Sequence, residues 1–213
     1  MLYTAPSTLQ VRNLACRRGE RLLFSGVAFE LAPGAVLWLR GRTGSGKTSL
    51  LRMVAGLGRP EHGDILWGGR PAAHAPGYLH ALRYVGHTDG LKDDFTAAES
   101  LALETLLRGD PASAVQVDEA LAALGIAAHR RCPVHTLSQG QRKRLALARL
   151  ALAGMPGPWL LDEPFDALDA DGSERLCAML AAHQARGGSV LLASRVAPPG
   201  MLAATSHCLD IPQ

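Results

Sequence analysis

Aromatic residues are scarce, at 5% of a 213-residue chain, too few for a large stacking platform for single-stranded nucleic acid. Charge of one sign is scarce as well. The net charge is +3 and the pI near 8.8, short of the concentrated basic face that nucleic-acid binding needs. The run Arg142-Lys143-Arg144 reads as a solvated helix face. The four cysteines, Cys16, Cys132, Cys177 and Cys208, contain no CxxC pair, which argues against zinc and thiol-redox motifs. A 22.5 kDa chain buries about 70% of its unfolded surface and needs no disulfide framework, which fits a reducing compartment. Long apolar runs are missing too. The longest uncharged stretch, Val196 to Leu209, is broken by Pro198-Pro199-Gly200 and is shorter than the roughly 18–20 apolar residues of a membrane span. Met1 to Pro6 shows no basic segment leading into an apolar one, so no signal peptide is expected. The expectation is a soluble chain that reaches any membrane through a partner.

Hydrophobic residues at 47% and charged residues at 19% indicate a globular chain of one large or two small domains. Thr8 to Leu31 reads as antiparallel strands, with Val27, Phe29 and Leu31 alternating against Ala28 and Glu30, the period of a half-buried strand. Pro33-Gly34 is a turn, and Ala35 to Arg40 a buried strand ended by Gly41. A helix over Thr48–Ala55 stops at Gly56. Gly63–Trp67 and Arg83–Val85 are further strands. From about Lys92 the pattern turns helical. Thr96-Ala97-Ala98-Glu99 is a capping box, and helices are expected over Val117–Leu124 and Gln141–Leu152. Strand Trp159–Leu161, helix Ser173–Arg186 and strand Ser189–Ala193 complete the chain. Strands and helices alternate at both ends around a helical block, the pattern of an α/β sheet domain with a helical insertion.

Gly41-Arg42-Thr43-Gly44-Ser45-Gly46-Lys47-Thr48 matches GxxxxGK[ST] in full, between an expected strand and an expected helix that opens with Thr48-Ser49. The glycines let backbone N–H groups turn inward at phosphate oxygens, and the helix N-terminus favours an anion. Lys47 can reach the β- and γ-phosphates and Thr48 can ligate Mg²⁺. Leu160-Leu161-Asp162-Glu163-Pro164 puts two acids at the C-terminal end of a buried strand, the edge of an open α/β sheet where ligands sit. Asp162 is placed for the Mg²⁺ shell, and Glu163 to orient or deprotonate an attacking water.

A third motif, Leu137-Ser138-Gln139-Gly140-Gln141, precedes the basic helix. It resembles the LSGGQ signature of the ATP-binding cassette (ABC) proteins, with Gln139 replacing the first Gly. Ala167-Leu168-Asp169 resembles the D-loop of that family. The motifs follow the family's order along nearly the whole chain. The resemblance implies an α/β P-loop NTPase of the ABC type, with a mixed sheet core, N-terminal antiparallel strands and an inserted helical subdomain at about 92–153 of a single domain, 1–213. It also implies a head-to-tail homodimer in which each ATP lies between one phosphate loop and the other subunit's signature. Arg18-Gly19-Glu20-Arg21, Gly63-Asp64-Ile65-Leu66-Trp67, Tyr84-Val85-Gly86-His87 and Gly90 to Ala97 are similar to the ATP-binding subunit of the haem exporter in bacterial cytochrome c maturation. The short length fits that type. The implied partners are an integral-membrane permease subunit and further haem-handling membrane proteins, with no nucleic acid. The implied place is the cytoplasmic face of the inner membrane, with ATP and Mg²⁺ as the ligands. The eight histidines are scattered and no CxxCH occurs, which argues against direct haem ligation.

Three positions depart from most of the family. His87 stands where a Gln is usual, as the haem-exporter type also has it. Cys16-Arg17, assigned to the strand before the phosphate loop, stands where an aromatic usually stacks on adenine. Arg195, closing Val190-Leu191-Leu192-Ala193-Ser194-Arg195, stands where a His contacts the γ-phosphate. The resemblance thus gives Glu163, Lys47, Arg195 and His87 as the catalytic set. Alternatives are the ATPase of another small ABC transporter, a weakly hydrolysing ATP-dependent clamp, and a soluble switch acting on nucleic acid. The single phosphate loop and the absence of a heptad run weigh against the last.

Overall fold

The computed structural model describes residues 7–199 and 206–211. The opening segment read for a signal peptide, and 200–205 of the uncharged stretch, lie outside the described residues. Two compact units divide the chain: one combines the residues up to His87 with Met155–Glu163 and the segment from Ala182 onward, the other Thr88–Gly154 with Pro164–Ala181.

The first unit holds two sheets. Strands β1 (Leu9–Arg18), β2 (Arg21–Leu31), β4 (His62–Trp67) and β5 (Arg70–Pro71) form an antiparallel sheet in the order β2-β1-β4-β5. Strands β3 (Val36–Arg40), β6 (Arg83–Val85), β7 (Pro158–Asp162), β8 (Ser189–Ala193) and β9 (Ser206–Asp210) form a parallel sheet in the order β6-β7-β8-β3-β9. The alternation read along Val27–Leu31 holds: Val27 and Leu31 are buried while Ala28 and Glu30 face solvent. β7 and β8 are buried at every residue, as a parallel strand covered on both faces requires. β1 bulges at Asn13, which takes φ 47°. β4 passes so close there that a Cβ on Gly63, itself at φ +95°, would lie 2.4 Å from the Asn13 carbonyl oxygen.

Helix α1 (Lys47–Val54) buries Leu50, Leu51, Met53 and Val54 in a core shared with Leu39 of β3, Leu160 of β7, Leu191 of β8 and Leu14 of β1. Burying each such side chain contributes roughly 1.5–3 kcal/mol. Helix α2 (Tyr78–Ala81), β5 and β9 carry no pattern that sequence reading picks up. Two are no longer than four residues, and β9 pairs by one side with β3.

Helices α3 (Ala97–Leu107), α4 (Ala114–Ala123) and α5 (Gln139–Ala148) belong to the second unit. Each opens with a capping box: Thr96 with Glu99, Ser113 with Gln116, and Ser138 with Gln141. Only the first was read from sequence. The other two start α4 three residues and α5 two residues ahead of expectation, because a Ser cap defines the first turn. After Ala148 the chain tightens into a 3-10 turn, Arg149–Leu152. Helix α6 (Ala170–Ala185) also starts earlier than expected, its first turn held by the Asp169 carboxylate, which accepts the Gly172 N–H at 2.9 Å.

Arg142 and Arg144 correct the solvated-face reading. Arg142 pairs with Asp89 at 2.8 Å and Asp93 at 2.6 Å. Arg144, 12% exposed, pairs with Asp171 at 2.7 Å and with Asp169, and donates to the Leu124 carbonyl. The partners are acidic residues far along the chain, which raise both guanidinium pKa values.

His183, near the end of α6, is 1% exposed. Its ring stacks on Trp159 with centroids 3.6 Å apart, and its Nε2–H donates to the Gly157 carbonyl at 2.9 Å. Burial, above all, pushes its pKa down to about 4. The unfolded chain therefore binds the extra proton between about pH 6.5 and pH 4. Stability falls as pH drops through that window, by about 3 kcal/mol in all. Urea unfolding at pH 7.5, 5.5 and 4.5 is expected to show this slope. His183→Phe, which cannot titrate, is expected to be weaker throughout and flatter across the window.

Candidate active site

Three adjacent parallel strands end at one edge of the sheet. Asp162 of β7 lies beside Ala193 of β8, and Ala193 beside Leu39 of β3. The residues leaving those strands therefore share that edge: the loop Gly41–Gly46 after β3, Glu163 after β7, and Ser194-Arg195 after β8. β6 runs parallel to β7, and His87 follows β6 by two residues, exposed.

The loop is closed by its own chemistry. Gly44 and Gly46 take φ 83° and 97°. A Cβ on Gly46 would sit 2.7 Å from the Phe24 ring, and one on Gly41 would sit 2.5 Å from Ser45 Oγ. Phe24 and Leu23 thus back the loop, a role with no signal in the motif. Ser45 is 5% exposed, and its hydroxyl has no hydrogen-bond partner among the described residues. Lys47, 7% exposed, donates to the Gly41 carbonyl at 2.6 Å and the Arg42 carbonyl at 3.2 Å. α1 has Gly46 as its N-cap, with no capping side chain and no acid in the first turn, so its first N–H groups and its dipole stand open to an anion.

The Thr48 hydroxyl donates to Asp162 Oδ2 at 2.7 Å, and Asp162 is 2% exposed. Two hard oxygen donors therefore meet beside the phosphate loop. Such a pair suits Mg²⁺, which keeps several waters and takes its remaining ligands from phosphate. Among the described residues no group of three or more His, Cys, Asp and Glu gathers as an all-protein metal cage. Ser49 hydrogen-bonds the Cys16 thiol, which burial pushes up in pKa.

Glu163 takes φ 45°, the left-handed region, and its N–H donates to the Ala193 carbonyl at 2.8 Å. Its carboxylate meets Arg195 twice: the Arg195 N–H donates to Oε2 at 3.1 Å, and Arg195 Nε lies 3.6 Å from Oε1.

Cys16-Arg17 does not lie on the strand before the loop. It belongs to β1, while β3 runs into the loop. The Arg17 guanidinium is held by both Glu61 oxygens at 3.0 Å and by the Glu20 carbonyl at 3.0 Å. Strand pairing between β1 and β2 across the turn at Arg18–Arg21 makes that position, so the linear distance to the loop misleads.

In the second unit, Leu137 is buried and Ser138 caps α5. The Ser138 hydroxyl accepts the Gln141 N–H at 3.3 Å while Gln141 Oε1 accepts the Ser138 N–H at 2.8 Å. The Gln141 amide meets His129 Nε2 at 2.8 Å. Gln139 is exposed, which leaves room for a side chain where the signature pattern has Gly. Gly140 has none: a Cβ there would lie 2.9 Å from the Ala167 carbonyl oxygen. Ala167 takes φ 63°, Leu168 donates its N–H to Phe165, and Asp169 holds Arg144. Ser138, Gly140, Gln141, Ala167 and Asp169 line one cavity of about 450 Å³. Asp89 and Asp171 carry no sequence signal, because no local spacing announces pairs 53 and 27 residues apart.

The family profile of ABC transporters matches residues 24–166. The chain belongs to the ABC transporter family. It is 50% identical over 185 residues to the cytochrome c biogenesis ATP-binding export protein CcmA of Pseudomonas putida, covering 86% of this chain and 87% of that one. It is 43% identical over 204 residues to the protein of the same name from Methylococcus capsulatus, covering 95% and 93%. Within the family it is of the CcmA type. A solved ABC transporter ATP-binding protein from Pyrococcus furiosus superposes with a TM-score of 0.82 at 21% identity, over 95% of this chain and 98% of that one. That likeness establishes the ABC ATPase fold, and the α/β P-loop class and the family resemblance read from the motifs both hold.

Proposed function

We propose that this chain is the ATP-hydrolysing subunit of a membrane transporter that serves cytochrome c maturation by haem export or release of a haem chaperone. The observation that carries the ATPase assignment is the phosphate loop as built: a buried Ser45 hydroxyl without a partner among the described residues, Lys47 among loop carbonyls, and Thr48 meeting Asp162 at 2.7 Å. The cytochrome c role rests on the printed names of relatives as much as 50% identical.

In this reading the chain is one ABC ATP-binding domain, 1–213, with its helical insertion at about 92–153. Backbone N–H groups of Gly41 to Lys47, with Arg42, Thr43 and Ser45, cradle the phosphates, and Lys47 exchanges the loop carbonyls for phosphate oxygens. Thr48 and Asp162 would hold Mg²⁺, which would supply positive charge against the phosphate oxygens. Glu163 orients the attacking water and takes its proton as the bond to the γ-phosphorus forms and the bond to the β,γ-bridging oxygen breaks, leaving ADP and phosphate. The His87 imidazole can donate or accept a hydrogen bond with the attacking water. The signature Leu137–Gln141 and D-loop Ala167–Asp169 of a second copy complete the site in a head-to-tail homodimer. Among the described residues no helix is long and apolar enough to cross a membrane, which supports peripheral attachment to the cytoplasmic face through a permease subunit, beside haem-handling membrane proteins.

The test is co-purification from bacterial membranes. The tagged chain is expected to bring down an integral-membrane permease together with haem-handling membrane proteins. A solute-binding protein in their place would point to another small transporter.

A further inference from the structure

The Glu163–Arg195 contact has no counterpart in the motifs, because it joins two strand ends 32 residues apart. Its setting is fixed. Arg195 follows β8, and Ser194 is anchored on both sides: its carbonyl accepts the Trp38 indole N–H at 3.1 Å, and its hydroxyl accepts the Val196 N–H at 3.2 Å. The Arg195 N–H is thereby aimed at Glu163 Oε2. The Glu163 backbone is pinned by the Ala193 carbonyl. The Arg195 guanidinium is 56% exposed, against a carboxylate 12% exposed.

We propose that Arg195 is a partner-switching residue: in the nucleotide-free chain its guanidinium restrains the Glu163 carboxylate, and the terminal phosphate of ATP draws it away, so that Glu163 is released only when a triphosphate is bound. This rests on the reading of Glu163 as the water-activating group. Two magnitudes decide the direction of exchange. An ion pair this exposed favours itself by no more than about fivefold. A guanidinium fork on phosphate oxygens is charge-assisted and bidentate, worth about 10- to 100-fold. The triphosphate therefore wins, while a diphosphate, lacking the terminal group, leaves the resting pair in place. Proximity supports the exchange. Glu163 directly follows Asp162, which is bonded to the first turn of α1 behind the phosphate loop. The Arg195 backbone contact persists in either state and keeps the carboxylate near its post.

The experiment measures calorimetric affinities of the full chain for ADP and for the non-hydrolysable β,γ-imido analogue of ATP, each with Mg²⁺. Arg195→Gln is expected to weaken the analogue about 10- to 100-fold while ADP stays within about twofold, and Arg195→Lys to recover part of the loss. Removing the competing carboxylate with Glu163→Gln is expected to tighten the analogue by about two- to fivefold. That tightening should vanish when combined with Arg195→Gln. Equal weakening of both nucleotides would make Arg195 merely structural and overturn the switch. So would a Glu163→Gln tightening that survives without Arg195. Failure of the underlying ATPase reading looks different: Lys47→Ala would then leave binding of the analogue unchanged.

Discussion

Glu163→Gln is expected to lower steady-state phosphate release by about 10²–10³-fold while ATP affinity is retained or improved. The exchange keeps the size of the side chain and its capacity to accept the Arg195 N–H, which holds Oε2 at 3.1 Å. It removes the carboxylate proposed to take the proton from water, and a positioned general base contributes about 10²–10⁴-fold. The lower part of that range applies because phosphoryl transfer draws chiefly on positioning, and positioning survives. With turnover slowed, a dimer closed around two ATP molecules should persist. Size exclusion with light scattering in Mg-ATP is expected to show a dimer for Glu163→Gln and mostly monomer for the unaltered chain. A variant that stays monomeric and releases phosphate at the unaltered rate would assign Glu163 to another role.

Legibility of this chain in its sequence follows the range of the forces involved. β8 is readable to the residue, Ser189–Ala193, because the apolar run Val190–Ala193, bounded by Gly188-Ser189 and Ser194, has no competing interpretation. The phosphate loop is readable because its turns are made by glycines, Gly44 and Gly46 at positive φ, set directly before Lys47 and Thr48 at fixed spacing. Helix starts were less legible. Ser113 and Ser138 cap α4 and α5, but a Ser with Gln three residues on is a weaker sign than the Thr96–Glu99 pair; the first turn at Gln139 is polar, and the exposed Val115 breaks the apolar period of the first turn at Ala114. The basic run of α5 was misjudged because charge on a helix looks solvated until its partners are known. Asp89, Asp93, Asp169 and Asp171 reach it only through tertiary folding. The same holds for Arg195: its place at a strand end was legible, but its engagement with Glu163 depends on how β7 and β8 pair.

The remaining large effect belongs to Lys47, where two consequences of truncation compete. Lys47→Ala removes the bonds to the Gly41 and Arg42 carbonyls, which are charged at the donor alone and worth about 1.5 kcal/mol each, the low end of the charge-assisted range. It also removes the cation that phosphate oxygens would meet, and a hydrogen bond to a charged group is worth about 1.5–3 kcal/mol. Two such bonds to the β- and γ-phosphates amount to about 10²–10³-fold or more in affinity. The second effect exceeds the first, and it is selective. Adenosine carries no phosphate and should bind the variant as it binds the unaltered chain, whereas a loosened loop alone would weaken both ligands alike. The lost carbonyl bonds should appear separately, as a small fall in melting temperature without nucleotide. Stabilisation by Mg-ATP should be nearly absent, since ligand stabilisation scales with the logarithm of concentration over Kd. Calorimetry with ATP and adenosine, and melting with and without Mg-ATP, read these outcomes independently. Unchanged ATP affinity in Lys47→Ala would remove the phosphate loop from the site.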